Sequence, residues 1–409
     1  MNKIFSFLQI IIYAIIFKIK QNNNIESKTN KILLIMDQYG IGDAVCALDA
    51  FYNLSKYAEN GFVLYIASTS SVIHFLEQTK STFNAHFITL DLDRQDKLKL
   101  QTFRDNLIKL NIHYWREIVC LNRFGLYLGF LFFLCSTDKI ICQEYYEQKI
   151  GILEKYIKKQ FLDIYTIYIH DTEFIMNTYE KIIKYVFYSL FNSRQDFQYE
   201  FYKIPKLQDN NINITENYCI VSPNIAVQMN HAYYSRRWPL DRFVEIIDFI
   251  IDHSNMMVYL CGVKNDDTAH QYILNHSKHK TRIINFAGKT TFQEWIELVR
   301  NSRFVFGNDS GYIHLASYLG VPSFVLAGYW NFGRFFPYKG NIPNGRIKPV
   351  DIRIPEVPCF DCIRRNSNSV EKNECNLFVK KYRTYKCIYD ISVEQVKKTI
   401  LQSGILNKK

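Results

Sequence analysis

"FVFGNDSGYIHLASYLGVPSFVLAG", Phe304 to Gly328, is the stretch that decides the fold. It starts with an apolar run of the kind that forms a strand buried on both faces. A polar turn, a short helical pattern and a second apolar run follow, which is the order of a parallel strand–helix–strand unit. Gly320 ends the helix and Pro322 keeps it from resuming. An apolar core has no use for Asp309, Ser310 and His314 in one turn between two core elements. Ser310, Gly311 and Tyr312 open the helix, so their N–H groups and the helix dipole favour an anion, above all a diphosphate. Gly311 admits close backbone approach. His314, four residues after Ser310, lies on the same side and can donate to phosphate or ribose. Asp309 at the strand end suits sugar hydroxyls better than phosphate. The plainer alternative makes Asp309 an N-cap and His314 a satisfied surface histidine.

Outward from this stretch the alternation continues in both directions. Upstream lie "YCIVSP", a helix from about Asp241, "MVYLCG", a helix after Asp266, "RIINFAG", and a helix opening at Thr291, where Thr291 and Glu294 have capping-box spacing. Before them "PKLQDNNINITEN", Pro205 to Asn217, is polar and poor in apolar residues, and reads as a domain boundary. A first alternating half precedes it: "KILLIMD", the helix "GDAVCALDAFYNLSKY", "FVLYIAS", "SVIHFLEQ", "HFITL" and "REIVCL". "FGLYLGFLFFLC", Phe124 to Cys135, is too short to span a bilayer and reads as a core helix. The expected organisation is a hydrophobic segment 1–24, an α/β domain 31–205, a second α/β domain 217–345, and a tail with a terminal helix 346–409. Two doubly wound halves of this kind are expected to face a cleft lined by the strands' carboxyl ends.

Composition narrows the function classes. The 409 residues exceed one ordinary core, and 48% hydrophobic with 16% aromatic content describes a well-filled globular protein. The formal charge of +11 suits anionic partners such as nucleotides, glycolipids or an anionic membrane surface. Scattered basic residues and the lack of an Arg-rich tract argue against nucleic acid. Cys46, Cys120, Cys135, Cys142, Cys219 and Cys261 sit in or beside apolar runs and read as buried thiols, as expected in a reducing cytoplasm. Cys359, Cys362, Cys375 and Cys387 gather in the polar tail. They offer either a structural zinc or iron site or four unligated thiols. The amino-terminal run Ile4 to Phe17, followed by Lys18 and Lys20, is too short to span a bilayer and lacks a small-residue cleavage site. It reads as an interfacial anchor at the inner membrane, with a helix docked on the protein itself and an uncleaved signal-anchor as the alternatives.

Two phosphate-loop readings fail on their own spacing. "AGKTT", Ala287 to Thr291, ends like a Walker loop, but Ile283 stands where its leading glycine belongs. "GIGDAV", Gly40 to Val45, follows a strand and opens a helix, yet Val45 replaces the third glycine, and no ribose-binding acid ends the second strand.

The segment "GNDSGYIHLASYLGVPSFVLAG" resembles the nucleotide-sugar signature of the heptosyltransferase family, glycosyltransferase family 9. "KILLIMDQYGIGDAVCALDAF" is similar to that family's amino-terminal strand, glycine turn and helix. "RRWPLDRFVEII" is similar to its basic segment, and "INFAGKTTFQEWIELVRNSRFVFGNDSG" to the run into the signature. The resemblance covers roughly Lys31 to Gly328. It implies a GT-B fold and inverting, metal-independent transfer of a heptose from an ADP-activated donor to a lipopolysaccharide or lipid A core acceptor. An autotransporter-type protein O-heptosyltransferase and a non-catalytic nucleotide-sugar-binding protein are the alternatives. It further implies Asp43 as general base, and Arg236, with Arg237 beside it, as the charge facing the diphosphate. Arg236 replaces the family's usual lysine, so the geometry there differs. At "CGVKNDD" the family's ribose-binding glutamate is missing, with Asp266 or Asp267 as substitutes.

Overall fold

A computed structural model describes residues 9–14, 30–37, 40–57, 61–79, 83–92, 99–111, 113–122, 126–145, 164–170, 173–191, 197–206, 217–223, 236–329, 332–339, 342, 345–355, 378–379, 381 and 384–407. The chain forms two compact units, Met1–Tyr202 and Lys203–Lys409.

In the first unit, β1 (Lys31–Ile35), α1 (Ile41–Tyr57), β2 (Val63–Ser68), α2 (Ser70–Gln78), β3 (His86–Thr89), α3 (Leu100–Asn111), β4 (Tyr114–Cys120), α4 (Leu126–Leu134), β5 (Ser136–Tyr145), β6 (Ile164–Ile169) and α5 (Ile175–Phe191) follow one another. The strands form one sheet in the order β3-β2-β1-β4-β5-β6, with every neighbouring pair parallel. β5 and β6 extend the four strands legible in the sequence. α4 is the core helix expected at Phe124 to Cys135. It is apolar throughout and buried from Tyr127 to Phe132, with Leu131 and Leu134 fully covered.

Residues 9–14 are helical, and Ile10 and Ala14 are fully buried in the same apolar cluster as Leu33, Phe103, Leu107 and Phe130. Tyr13 meets the Phe103 ring edge-on at 6.4 Å, and Arg104 lies over it at 5.4 Å. One face of this segment therefore serves the unit's own core, as in the docked-helix alternative, while Ile12 is 56% exposed.

The second unit repeats the plan with β7 (Tyr218–Ser222), α6 (Leu240–Asp252), β8 (Met257–Leu260), α7 (Asp267–His276), β9 (Ile283–Asn285), α8 (Phe292–Asn301), β10 (Val305–Asn308), α9 (Gly311–Tyr318), β11 (Ser323–Leu326) and β12 (Val350–Ile352). Its sheet runs β12-β11-β10-β7-β8-β9, again all parallel. Counted within each unit, both orders are 3-2-1-4-5-6, the doubly wound arrangement whose strand order reverses beside the first strand. The central strands β7, β10 and β11 are buried at every position, as their unbroken apolar runs require. Thr291 and Glu294 form the expected capping box, with Thr291 N–H donating to Glu294 Oε2 (2.7 Å) and Glu294 N–H to Thr291 Oγ1 (3.2 Å). Gly320 takes φ of +74° just past α9, the left-handed stop expected of it.

The second unit reaches beyond residue 345. β12 completes the sheet, and Tyr385, Ile388, Val396, Ile400 and Leu406 join the unit's core, so the terminal helix α10 (Val393–Gln402) is integral to it. Cys359, Cys362 and Cys375 lie outside the described residues. Cys387 is buried in the apolar core, and the six cysteines read as buried from the sequence are buried as well.

Docking of residues 9–14 has a direct test. Ile10→Asp buries an unpaired charge and should cost about 3 kcal/mol or more in urea denaturation without detergent, whereas exposed Ile12→Asp should stay within about 0.5 kcal/mol. Equally small effects would mean that the segment does not pack on the core.

Candidate functional site

The site in the second unit is built at its topological switch point, the carboxyl ends of β7 and β10. Asn308, fully buried at the end of β10, ties the pieces together. Its Oδ1 accepts the Trp238 backbone N–H (3.1 Å), and its Nδ2 donates to the Pro223 carbonyl just past β7 (2.6 Å). Trp238 is itself buried, and its Nε1 donates to the Ile391 carbonyl (2.9 Å). Arg242, one turn into α6, donates to the Tyr389 and Ile391 carbonyls and covers the Tyr389 ring at 4.4 Å. Arg236 and Arg237, half-buried, are thus carried on a segment fastened to the residue next to Asp309.

Asp309, Ser310 and His314 come together as the sequence suggests, though His314 is no surface residue. It is 3% exposed and stacks on Phe336 with centroids 5.0 Å apart. Its Nδ1 lies 2.7 Å from the Tyr338 hydroxyl, and its Nε2 faces the Asp309 carboxylate at 3.8 Å. Tyr338 therefore fixes the ring and leaves Nε2 as the nitrogen turned toward the carboxylate. Ser310 holds the N-cap position of α9 without capping it, because no backbone N–H bonds its side chain. Its Oγ is buried with no hydrogen-bond partner. A hydroxyl left in that condition at a helix N-terminus fits an anion's oxygen.

Asp266, raised above as a stand-in for a ribose-binding acid, is turned inward. Its Oδ2 accepts the Val263 N–H (2.8 Å), closing the turn at Lys264–Asp266, and its Oδ1 is buried without a partner. Burial pushes its carboxyl up to about 6, against the opposing pull of the Val263 N–H and the Arg237 charge. Fully buried His270 is held down by the same kind of burial, while its Nδ1 meets Asn285 Oδ1 at 2.8 Å. Asp267 is bonded by Asn285 Nδ2 (2.7 Å).

In the first unit, Asp43 stands in the first turn of α1, half-buried, at the corresponding switch point after β1. Its Oδ2 folds back so closely that a Cβ on Gly40 would come within 2.8 Å of it. Glycine at position 40 thus lets the carboxylate take this pose. Behind it, at the carboxyl ends of β4 and β5, lies a buried polar group. Gln143 Nε2 donates to the Leu121 carbonyl (2.5 Å), and the Tyr179 hydroxyl donates to Asn122 Oδ1 (3.3 Å). Tyr179 is held well above its ordinary value by burial and then by the negative charge of Asp43, so it stays a neutral donor.

Of the residues singled out in the sequence, Asp309, Ser310, Gly311 and His314 gather at the end of β10, Arg236 and Arg237 lie on the Trp238 segment and Asp43 lies in the first unit, while Asn308, Tyr338, Tyr179, Asn122 and Gln143 were not singled out. Among the described residues no group of three or more His, Cys, Asp or Glu side chains is placed to hold a metal.

Two parallel doubly wound units define a GT-B type fold, and solved structures share it. A glycosyltransferase family 9 protein from Veillonella parvula superposes with a TM-score of 0.64 at 14% identity, covering 94% of this chain and 100% of that one. Heptosyltransferase II of E. coli, an ADP-heptose lipopolysaccharide heptosyltransferase, gives 0.58 at 16% identity, over 92% and 98%. At these identities the likeness speaks for fold alone. Within that fold the chain carries a glycosyltransferase family 9 (heptosyltransferase) domain, matched over residues 178–349. Lipooligosaccharide heptosyltransferase 2 of Haemophilus ducreyi is 31% identical over 97 residues, and that of Haemophilus influenzae 29% over 96. Each match covers 23% of this chain and 28% of the relative's length.

Two measurements probe this geometry. Asn308→Ala leaves the Trp238 N–H and the Pro223 carbonyl unpaired and should destabilise the protein by about 2–4 kcal/mol in chemical denaturation; a loss below about 0.5 kcal/mol would show that these bonds do not hold the segment. For Asp266 the folded value lies above the unfolded one of about 3.9, so its contribution to stability is full below that pH and is lost as pH rises through about 6. Asp266→Asn keeps an acceptor for Val263 and removes the charge. Its melting temperature relative to the parent should therefore rise between pH 4.5 and 7.5, and a fall would mean that the carboxylate is ionised and held.

Proposed function

We propose that this protein is an inverting glycosyltransferase that moves a heptose from an ADP-activated donor onto a lipopolysaccharide core acceptor. The observation that carries the reading is the family 9 domain over residues 178–349, which contains Asp309, Ser310 and His314 gathered at the switch point of its sheet. The names of the relatives supply the donor and acceptor class.

In this reading the donor diphosphate lies at the N-terminus of α9. The free N–H groups there, the unpartnered Ser310 hydroxyl and His314 Nε2 bond its oxygens, and Arg236 and Arg237 offset its charge. As the anomeric carbon–oxygen bond breaks, negative charge grows on the departing diphosphate, and these groups stabilise it. The acceptor hydroxyl attacks from the opposite face, which inverts the configuration, and its proton passes to the Asp43 carboxylate. Such a hydroxyl is far too weak an acid to ionise unaided, so the base contributes about 10²–10⁴-fold. A lipopolysaccharide acceptor is presented at a membrane surface. No helix among the described residues is long and apolar enough to cross one, so the approach proposed is peripheral, favoured by the +11 charge.

The test is transfer from ADP-heptose to heptose-deficient lipopolysaccharide, read by mass as the gain of one heptose. Asp43→Asn should lower the rate at least about a hundredfold while ADP affinity stays within about threefold. His314→Ala should weaken ADP binding by about 1.5–3 kcal/mol, the range of one charge-assisted hydrogen bond. Near-normal turnover of Asp43→Asn removes it as the base. No binding of ADP by the parent removes the reading altogether.

A further inference from the structure

Past the end of the family match, β12 carries Asp351 and the residue after the strand is Arg353, two charges that nothing above uses. The pairing of β10 with β11 and of β11 with β12 puts Gly307, Val325 and Asp351 in one row across the sheet. Side chains alternate along a strand, so two residues further on Arg353 follows Asp351 on the face that Asp309 follows from Gly307. All three therefore belong to the carboxyl edge on which Ser310 stands. Independently, the Asp309 charge is among the influences that raise the Asp351 carboxyl, burial being the largest.

The chemistry at this edge is incomplete. Arg353 Nε donates to Asp351 Oδ2 at 2.6 Å, and Nη2 also contacts that oxygen. The guanidinium lies against the rings of Phe332 (4.6 Å) and Tyr329 (5.2 Å), which stack on each other at 5.7 Å, and the side-chain exposures are 11% for Arg353 and 15% for Asp351. Yet Arg353 Nη1 has no acceptor, Asp351 Oδ1 has no donor and Ser310 Oγ has neither, and all three atoms are buried. A buried polar atom without a partner costs about 1–3 kcal/mol, and folded proteins carry few of them. Three on one edge, from two separate strand ends, fit a ligand that completes them.

We propose that Asp351 and Arg353 form the sugar-recognising end of the donor site and set which sugar is accepted; this rests on the reading that α9 holds the donor diphosphate. The charges choose the ligand class. Two carboxylates, Asp309 and Asp351, repel a further phosphate, whereas sugar hydroxyls donate and accept at once. Asp351 Oδ1 takes a proton donor and Arg353 Nη1 supplies one, both held by the same ion pair, which suits two hydroxyls of one ring. The Asp351 ion pair and the stacked Tyr329 and Phe332 rings beside it limit rotation of the guanidinium, so a sugar with those hydroxyls in the other configuration meets both groups poorly.

The experiment is calorimetric titration with ADP, ADP-heptose and ADP-glucose, followed by GDP-mannose and UDP-glucose with their free nucleotides. For each pair the sugar increment is the ratio of nucleotide to nucleotide-sugar dissociation constants. Asp351→Ala should leave ADP affinity within about twofold. It should cut the increment of the preferred sugar at least tenfold and bring the preferred sugar to within about threefold of the others. The double variant Asp351→Asn with Arg353→Gln removes both charges while keeping polar partners, and decides the matter if the single variant fails to fold. An unchanged increment, an equal loss for nucleotide and nucleotide-sugar, or a parent with no increment for any sugar overturns the proposal. A parent that binds no nucleotide at all refutes the diphosphate reading beneath it, which separates the two failures.

Discussion

The two hydrogen bonds of the Asn308 amide hold the second unit's site in register. An amide at the end of a buried strand must find partners, because a bare polar group there costs about as much as a buried apolar side chain contributes. Asn308 finds them in the first residue past β7 and in the backbone of Trp238, so one side chain fixes three chain segments at once. Trp238 and Arg242 then pass the constraint to the carboxyl-terminal segment through the Ile391 carbonyl, which accepts from both. The basic pair at 236–237 and the helix opening at Gly311 can meet one ligand only because these bonds relate them.

The repeated strand order explains why Asp43 and Asp309 take corresponding places in the two units. Where the order reverses, adjacent crossover helices leave the sheet on opposite sides and leave the strand ends uncovered between them. Asp43 stands at that position in one unit and Asp309 in the other, each one turn from a glycine. Beside each the protein keeps hydrogen-bonding side chains, neutral Tyr179 with Asn122 and Gln143 in the first unit and the Tyr338 hydroxyl against His314 in the second. Neutral neighbours orient a charged ligand or carboxylate without competing for it.

Elements with unbroken apolar runs and ordinary stop signals were legible in the sequence. β7, β10 and β11, the capping box at Thr291 and the Gly320 stop all stand where the residues put them. β12 was not, since "VDI" is three residues long with a charge in the middle, and its strand character comes only from pairing with β11. Asn308 was hidden because a polar residue closing an apolar strand looks like the start of a loop. Tyr338 lies in irregular chain, where no periodicity marks a side chain as inward-facing. The amino-terminal segment shows the converse difficulty. Its apolar face was plain, but a face that suits a membrane interface suits a protein core equally well, and the neighbours of Ile10 show only that part of it packs on the core.

That packing also constrains how the first unit is made. Ile10 and Ala14 share their core cluster with Phe103 of α3 and Phe130 of α4, residues that leave the ribosome much later. At about 5–20 residues per second the interval is on the order of ten seconds. For that time an apolar helical turn exists without the surface it will cover, and α4, apolar all round, then emerges with no polar face of its own. The first unit therefore cannot settle its core progressively from its amino terminus. It must keep its earliest apolar segment from associating elsewhere until the middle of the sheet has been synthesised. Binding to a chaperone or transient contact with a membrane during synthesis would serve that need, even though Ile10 and Ala14 end buried in the finished fold.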